Sequence, residues 1–278
     1  MRPSICRRVA DLVSVIVPTR NNAATIERCL RSIRDQTHAE VETIVVDNGS
    51  SDGTRDLAQP LADEVLEAGP ERSAQRNAGA RAAGGDFLAF VDSDMTLEPE
   101  VLADCVRAAR DGALSVVIPE RSFGEGYWTR AKVLERDCYL GDETIEAARF
   151  FTREAFDRVG GYDEAIVAGP EDWDIHQRVA ALGGRVGRSG AIIWHDEGRL
   201  RLRETMATKY YYGQSTSVYL RKHPERARAQ LTVARPAFLR HWRALAARPH
   251  LAAGMIVMKA LELGSGAAGL LVARARAR

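Results

Sequence analysis

The sequence predicts an α/β protein, a mostly parallel sheet flanked by helices and followed by a helical C-terminal extension, and three observations carry that prediction. Short apolar runs rich in Val, Ile and Phe alternate with longer segments of helical periodicity, the pattern of strands joined by crossover helices. Polar residues with chemical capacity fall directly after those runs, where open α/β sheets bind their ligands. From Arg203 onward only helical patterning continues. With 45% hydrophobic and 28% charged residues, the 278-residue chain sits at globular averages, which excludes a disordered chain and a multi-span membrane protein.

The first run, Val13-Ser14-Val15-Ile16-Val17, is expected to stop at Pro18, which cannot donate to a sheet ladder. Ile26, Cys29, Leu30 and Ile33 then recur at helical spacing, predicting a helix over 22–36 with one apolar stripe. Thr43-Ile44-Val45-Val46 reads as the second strand and ends at Asp47; Asn48-Gly49-Ser50-Ser51-Asp52-Gly53-Thr54 follows as a dense turn signal, assigned mainly to turn geometry. Glu64-Val65-Leu66-Glu67 reads as a short strand and 71–83 as a helix. Phe87-Leu88-Ala89-Phe90-Val91 is apolar without alternation, as a central strand covered on both faces must be, and it delivers Asp92 and Asp94 to its carboxyl end. A helix over 98–110, strands over 114–118 and 149–151, and a helix over 171–182 closed by Gly183-Gly184 come next. Ala191-Ile192-Ile193-Trp194 is a late strand with His195 directly after it, and breaks near Pro224, Pro236 and Pro249 divide the helical tail.

Charge divides the chain where the strands end. From Arg199 to Arg278 there are sixteen Lys or Arg against three acids, which leaves twenty-three basic against thirty-five acidic residues in 1–198. An acidic body with a basic tail suits a metal-binding domain attached to a segment that meets phosphate or an anionic membrane. The segment 251–273 is long enough to span a bilayer, but Lys259 and Glu262 lie in its middle. It reads instead as an interfacial or docked helix, with Lys259, Glu262 and Ser265 on one face opposite Met255, Ile256, Met258, Leu261 and Leu263. Ala260, Gly264 and Ala268 at intervals of four would permit close helix packing. Cys6, Cys29, Cys105 and Cys138 are scattered with no C-x-x-C pair, and the first residues, interrupted by Arg7 and Arg8, carry no signal-peptide pattern, so a cytoplasmic protein, peripheral at the inner face of the membrane, is expected.

Three strand ends gather chemistry: Pro18-Thr19-Arg20-Asn21-Asn22, Asp47-Asn48 and Asp92-Ser93-Asp94. A helix start, Glu171-Asp172, and the late strand end, His195-Asp196, can join them. Two carboxylates separated by one residue at a strand end can share a divalent cation and a ribose, because hard oxygen ligands suit Mg2+ or Mn2+ held with phosphates. Without a cation their mutual repulsion is costly. Glu171, Asp172 and Asp174 also crowd a helix start, where capping and the helix dipole stabilise acids whether or not they take part in chemistry.

In this order and spacing, residues 13–22, Asp47 to Thr54, Arg76-Asn77-Ala78-Gly79, Asp92-Ser93-Asp94 and Glu171-Asp172-Trp173-Asp174 resemble successive motifs of family 2 inverting glycosyltransferases, over roughly 12–197. The resemblance implies a GT-A-type fold with a catalytic domain over 1–198 and a basic helical extension over 199–278. It places Pro18, Thr19, Arg20, Asn22 and Asp47 at the nucleotide base and ribose with Arg76 nearby, Asp92 and Ser93 at the ribose, and Asp94 on the metal, joined in some members by a histidine such as His195. Asp172 would be the general base, with Glu171 and Trp173 on the acceptor side. The implied cofactor is Mn2+ or Mg2+. The implied donor is a nucleotide-diphosphate sugar, the acceptor a glycan, a lipid-linked or a small molecule, and no nucleic-acid partner is expected. Phe90-Val91-Asp92-Ser93-Asp94-Met95-Thr96 also looks like the first motif of haloacid-dehalogenase-type phosphatases, but there it ends the first core strand, whereas here at least two strands precede it. A sugar nucleotidyltransferase would carry a glycine-rich basic loop after the first strand, which Pro18 to Asn22 lacks; a silent binding module would have no use for acids at 92, 94 and 172.

Overall fold

The computed structural model describes residues 11–166, 169–230 and 235–276; Cys6, Arg7 and Arg8 lie outside them. The strands are β1 (Val13–Thr19), β2 (Val41–Asp47), β3 (Glu64–Glu67), β4 (Phe87–Phe90), β5 (Met95–Leu97), β6 (Ala113–Val117), β7 (Glu120–Phe123), β8 (Ala148–Thr152), β9 (Arg185–Arg188) and β10 (Ile193–Asp196). The helices within the first 198 residues are α1 (Ile26–Arg34), α2 (Thr54–Ala58), α3 (Arg72–Ala82), α4 (Val101–Arg110), α5 (Tyr127–Asp137), α6 (Arg153–Arg158) and α7 (Glu171–Ala180). The tail adds α8 (Leu202–Lys222), α9 (Pro224–Gln230), α10 (Pro236–Arg240), α11 (Trp242–Ala246) and α12 (Pro249–Arg276). Pro224, Pro236 and Pro249 each open a helix, where a missing N–H costs nothing.

Seven strands form one sheet in the order β3-β2-β1-β4-β8-β6-β9, and β5-β10-β7 form a smaller one. β1, β2, β3 and β4 run parallel, while β8 lies antiparallel between β4 and β6. Alternation along β1 supplies both layers of the core. Val13, Val15 and Val17 pack with Ile26, Leu30 and Ile33 of α1 on one face, and Ile16 joins Val46, Phe90, Phe156 and Ile175 on the other. Each such fully buried aliphatic side chain contributes about 2 kcal/mol over leaving it in water.

Several boundaries differ from the sequence expectation, each for a local reason. Pro18 does not end β1 but pairs in register with Val46. Even-numbered residues of β1 turn their backbone groups toward β4, as the bond from Val91 N to Ile16 O shows, and pairing with β4 stops at Ile16. The missing N–H of Pro18 therefore falls on an edge already open. The first helix begins at Ile26 rather than residue 22, because the backbone N–H groups of Asn21, Asn22 and Ala23 are taken by the side chains of Ser50, Thr54 and Asp52. The predicted helix over 98–110 gives up its start: Met95–Leu97 is a strand and α4 begins at Val101. His195 lies within β10 rather than after it.

The tail departs most from expectation. Lys259 and Glu262 do not face away from the apolar residues: both are buried, on the same inward side of α12 as Met255 and Met258, which pack on Ala131 of α5. Ile256, Val257, Leu261 and Leu271 point outward instead. The expected stripe of Ala260, Gly264 and Ala268 is exposed, and close packing of α12 on α8 runs through other glycines instead. A Cβ on Gly213 would lie 2.1 Å from the Gly266 carbonyl oxygen, and one on Gly269 2.0 Å from that of Tyr210, so the backbones touch where no side chain fits.

Candidate active site

The carboxyl end of β4 meets a fully buried guanidinium. Arg76, on the buried face of α3, donates from Nη2 to Asp92 Oδ1 at 2.8 Å and from Nη1 to Asp172 Oδ1 at 2.8 Å, and lies 3.5 Å from Glu171 Oε1. The Tyr162 ring lies 5.1 Å from the guanidinium carbon, and its hydroxyl reaches Asp172 Oδ1 at 3.3 Å. Arg149, the lone charge in the apolar strand β8, approaches Asp92 Oδ2 at 3.3 Å and Glu120 Oε2 at 3.2 Å. Burial pushes the Asp92 carboxyl up, but Arg76, Arg149 and Arg72 overcome it and hold it well below the usual range. Glu171 is the reverse: burial keeps its carboxyl above its ordinary value despite Arg72 at 3.1 Å.

Asp94 and His195, a hundred residues apart, meet because β5 and β10 pair antiparallel with Met95 opposite His195. His195 Nε2 lies 3.4 Å from Asp94 Oδ2, and Nδ1 lies 2.9 Å from Glu120 Oε1. Burial disfavours the imidazolium, yet bonds to Asp94 and Glu120 outweigh it and raise the ring to about 10. Asp94 Oδ1 is buried without a hydrogen-bond partner. An orphaned carboxylate oxygen beside a ring nitrogen, among carboxylates that favour a bound positive charge, fits a divalent metal, which would take the place of the proton on Nε2. Among the described residues no three His, Cys, Asp or Glu converge on one metal position, so the pair can supply only part of a coordination shell, as when phosphates complete it.

The loop after β1 is built against the turn after β2. Besides the three backbone bonds that delay α1, Asn21 Oδ1 accepts from Ser51 N at 2.9 Å, so the 48–54 segment braces that loop as well as turning the chain. Asp47 is buried and accepts from Ser50 N at 3.0 Å, while Thr19 Oγ1 is buried with no partner. Arg20 is exposed, and Asn22 Nδ2 donates to Ser93 Oγ at 2.5 Å, tying this loop to the Asp92-Ser93-Asp94 turn.

The acids that open α7 separate by direction. Glu171 and Asp172 face Arg76, whereas Asp174 turns away to Arg178 at 2.7 Å and to His223 at 2.9 Å, anchoring the end of α8. Trp173 donates from Nε1 to Ile145 O at 2.7 Å and packs near Tyr219, with part of its surface on the cavity. That cavity, about 600 Å³, is lined by Asp92, Asp94, Asp172, Trp173 and His195 and is roofed by α8 at Lys209 and Tyr212. Thr19, Asn22 and Asp47 lie outside it, at the neighbouring strand ends.

Glu120, Arg149 and Tyr162 join the site without a motif to announce them. A single arginine within Ala148-Arg149-Phe150-Phe151 was the available signal, since a lone charge in a buried strand needs a buried partner. Glu120 lies in a strand with no apolar alternation, and Tyr162 follows a glycine pair that reads only as a turn.

Known proteins resemble this chain in sequence and in fold. The chain is 31% identical over 237 residues to the pre-mycofactocin glycosyltransferase of Mycobacterium tuberculosis, covering 77% of this chain and 48% of that protein. It is 29% identical over 206 residues to the succinoglycan biosynthesis protein ExoA of Rhizobium meliloti, covering 65% and 59%. It thus spans about half the length of the curated relatives it matches. A mannosyltransferase from Pyrobaculum calidifontis, solved in complex with GDP-Man and Mn2+, superposes with a TM-score of 0.60 at 22% identity over 96% of this chain and 76% of that one. TarS of S. aureus superposes at 0.52 with 16% identity, over 96% and 55%. These neighbours establish a GT-A-type fold. The profile of glycosyl transferase family 2 matches residues 14–162, from β1 through the paired acids that follow β4 to the tyrosine beside Arg76, and with that match the chain belongs to this family.

Proposed function

We propose that the chain transfers a sugar with inversion from a nucleotide-diphosphate sugar to an acceptor hydroxyl. The observation that carries this reading is the shared hold of Arg76 on Asp92 and Asp172, at the wall of a cavity that Asp94 and His195 also line. One guanidinium thereby sets a ribose-binding acid and a base side by side at one cavity. Thr19, with its orphan hydroxyl, Arg20, Asn22 and Asp47 would receive the nucleotide beside Pro18, and Ser93 would steady the ribose end through Asn22. Asp94 and His195 would hold Mn2+ or Mg2+, which when bound neutralises charge on the departing diphosphate. The Mn2+ and GDP-Man of the structural neighbour support this class of donor and cofactor. Asp172 takes its bonds from Arg76 and Tyr162 on Oδ1, which leaves Oδ2 to accept the acceptor proton, with Glu171 and Trp173 flanking the acceptor side. A phosphatase reading is not favoured, because the Asp92-Ser93-Asp94 turn follows the fourth strand of the chain rather than the first, within the stretch that matches glycosyl transferase family 2.

The reading is tested by thermal shift with UDP, GDP, CDP and ADP, each with and without Mn2+, followed by transfer assays on Asp172→Asn. Binding to one nucleotide that strengthens with Mn2+, and loss of transfer in Asp172→Asn with that binding intact, are expected. Near wild-type transfer by Asp172→Asn would remove the base assignment.

For the tail, we infer that the outward face of α12 rests on an anionic bilayer at the cytoplasmic side. The helix is long and apolar enough to cross a membrane by length and composition, but its two central charges are committed inward to α5. What remains outside is Ile256, Val257, Leu261 and Leu271 on one stripe of α12, and elsewhere on the tail Leu239 and Trp242 are exposed with Arg243 beside Trp242, while Arg240 is paired with Asp142. Across 235–276 the sole acid is Glu262, and it is buried, so this surface offers apolar and positive groups alone. Substituting Ile256, Leu261 and Leu271 together by Ser should abolish cosedimentation with vesicles containing phosphatidylglycerol; equal binding by both proteins would remove the membrane reading.

A further inference from the structure

We propose that Glu120 is the positioning residue of the metal half of the site: it fixes the His195 imidazole so that Nε2 faces Asp94. His195 has two ring nitrogens, and which one is presented depends on the partner of the other. Glu120 Oε1 lies 2.9 Å from Nδ1 and Nε2 lies 3.4 Å from Asp94 Oδ2, so the ring is strung between the two carboxylates. The register explains the meeting: β7 and β10 run parallel with Ile193 beside Glu120, which carries the Glu120 side chain alongside the ring two residues further on.

Glu120 is itself held. Arg149 Nη2 lies 3.2 Å from its Oε2, and Arg136 Nη1 3.9 Å from its Oε1. Arg149 is the same guanidinium that reaches Asp92 Oδ2 at 3.3 Å. The acid that orients the histidine and the first acid of the Asp92-Ser93-Asp94 turn are thus locked to one cation on β8, the strand next to β4. Glu197 is a weaker second partner, 3.9 Å from Nδ1, and is tethered by Ser122 at 3.1 Å.

This inference rests on Asp94 and His195 holding the metal, and the experiment separates the two. Mn2+ affinity is measured by the loss of the free-ion EPR signal in the presence of saturating UDP and, in parallel, GDP, for wild type, His195→Ala, Glu120→Ala and Glu120→Gln. Alongside, 15N spectra of the imidazole are recorded with Mg2+ and the same nucleotides. We expect His195→Ala and Glu120→Ala each to weaken Mn2+ by about 10- to 100-fold, the usual loss when an orienting partner of a ligand is removed. Glu120→Gln, which keeps an acceptor but not the charge, should lose less, and wild-type spectra should show Nδ1 protonated and Nε2 not. If His195→Ala binds Mn2+ as wild type does, the metal assignment fails. If His195→Ala weakens binding while a folded Glu120→Ala does not, the positioning role alone is overturned. Should Glu120→Ala not fold, an Nε2-protonated ring in the wild-type spectra overturns it equally.

Discussion

Two buried charge networks lie in this molecule, and they are built on different principles. Beneath α12, Lys132 and Lys259 face Glu135 and Glu262 in a closed square: each of the four carboxylate oxygens meets a different ammonium contact, at 2.9–3.1 Å for three of them, and Tyr139 adds a bond to Glu135 at 2.7 Å. At the end of β4, Arg76 and Arg149 link Asp92, Asp172, Glu171 and Glu120, yet Asp94 Oδ1, Glu171 Oε2 and Arg76 Nε stay buried without partners. A network that satisfies itself holds helices in place; one that leaves oxygens unsatisfied beside a cavity is completed by something that binds there. The first joins the tail to the body, and the second is where the chemistry belongs.

The sharpest way to separate them is Asp94→Asn, which should cost about a thousandfold in transfer, in line with removing one charge-stabilising group at a reacting centre. Its folding stability, read by urea titration, should fall far less than in a mutant of the first network, since Asp94 has a long contact to His195 at Oδ2 and no protein partner at Oδ1. A clear loss of stability would mean that Asp94 is structural. Glu135→Gln should behave oppositely, because breaking a buried pair by removing one partner costs about 3–5 kcal/mol. The molecules that remain folded should bind Mn2+ with nucleotide as wild type does, and a weakened affinity would show that the two networks are coupled. Next in size is Gly269→Ala, which drives a methyl into the Tyr210 carbonyl and should cost about 1–3 kcal/mol by overpacking. An unchanged melting temperature would show that α12 shifts freely along α8.

The last effect is on pH. Burial raises the Glu262 carboxyl, but Lys132 and Lys259 overcome it and hold it down at about 2, against an ordinary 4.5. A depressed acid contributes stability that is complete above its unfolded value and is lost as pH falls toward its folded one. Stability should therefore decline between pH 4.5 and 2, and Glu262→Gln should show a shallower decline over that window, measured by denaturant midpoints at each pH. Parallel curves for the two proteins would place the acid sensitivity elsewhere.

Much of the framework can be read without coordinates. Runs dominated by apolar residues, such as 13–17, 43–46 and 87–91, announce buried strands, since a central strand covered on both faces has use for that pattern. Strand ends are also local, so Asp47, Asp92 and Asp94 could be named as edge residues from chain order. Short strands were not legible: Met95–Leu97, Glu120–Phe123 and Arg185–Arg188 have three or four residues each, too few to show a period and, in the last two, mostly polar. They exist because β10 and β6 offer them partners.

By itself the sequence determined the layered α/β class, the order of its main strands, the acids at their carboxyl ends and the basic, helical character of the tail. Those are properties of local periodicity and composition, which need no partner to be expressed. Only the tertiary structure decided that Arg76 is buried between Asp92 and Asp172, that Glu120 and Arg149 stand behind His195 and Asp92, and that α12 turns its charges inward and its aliphatic face out. A helix with both charged and apolar residues can bury either face. Which one it buries depends on what waits across the contact, and here Lys132 and Glu135 on α5 supplied the matching charges.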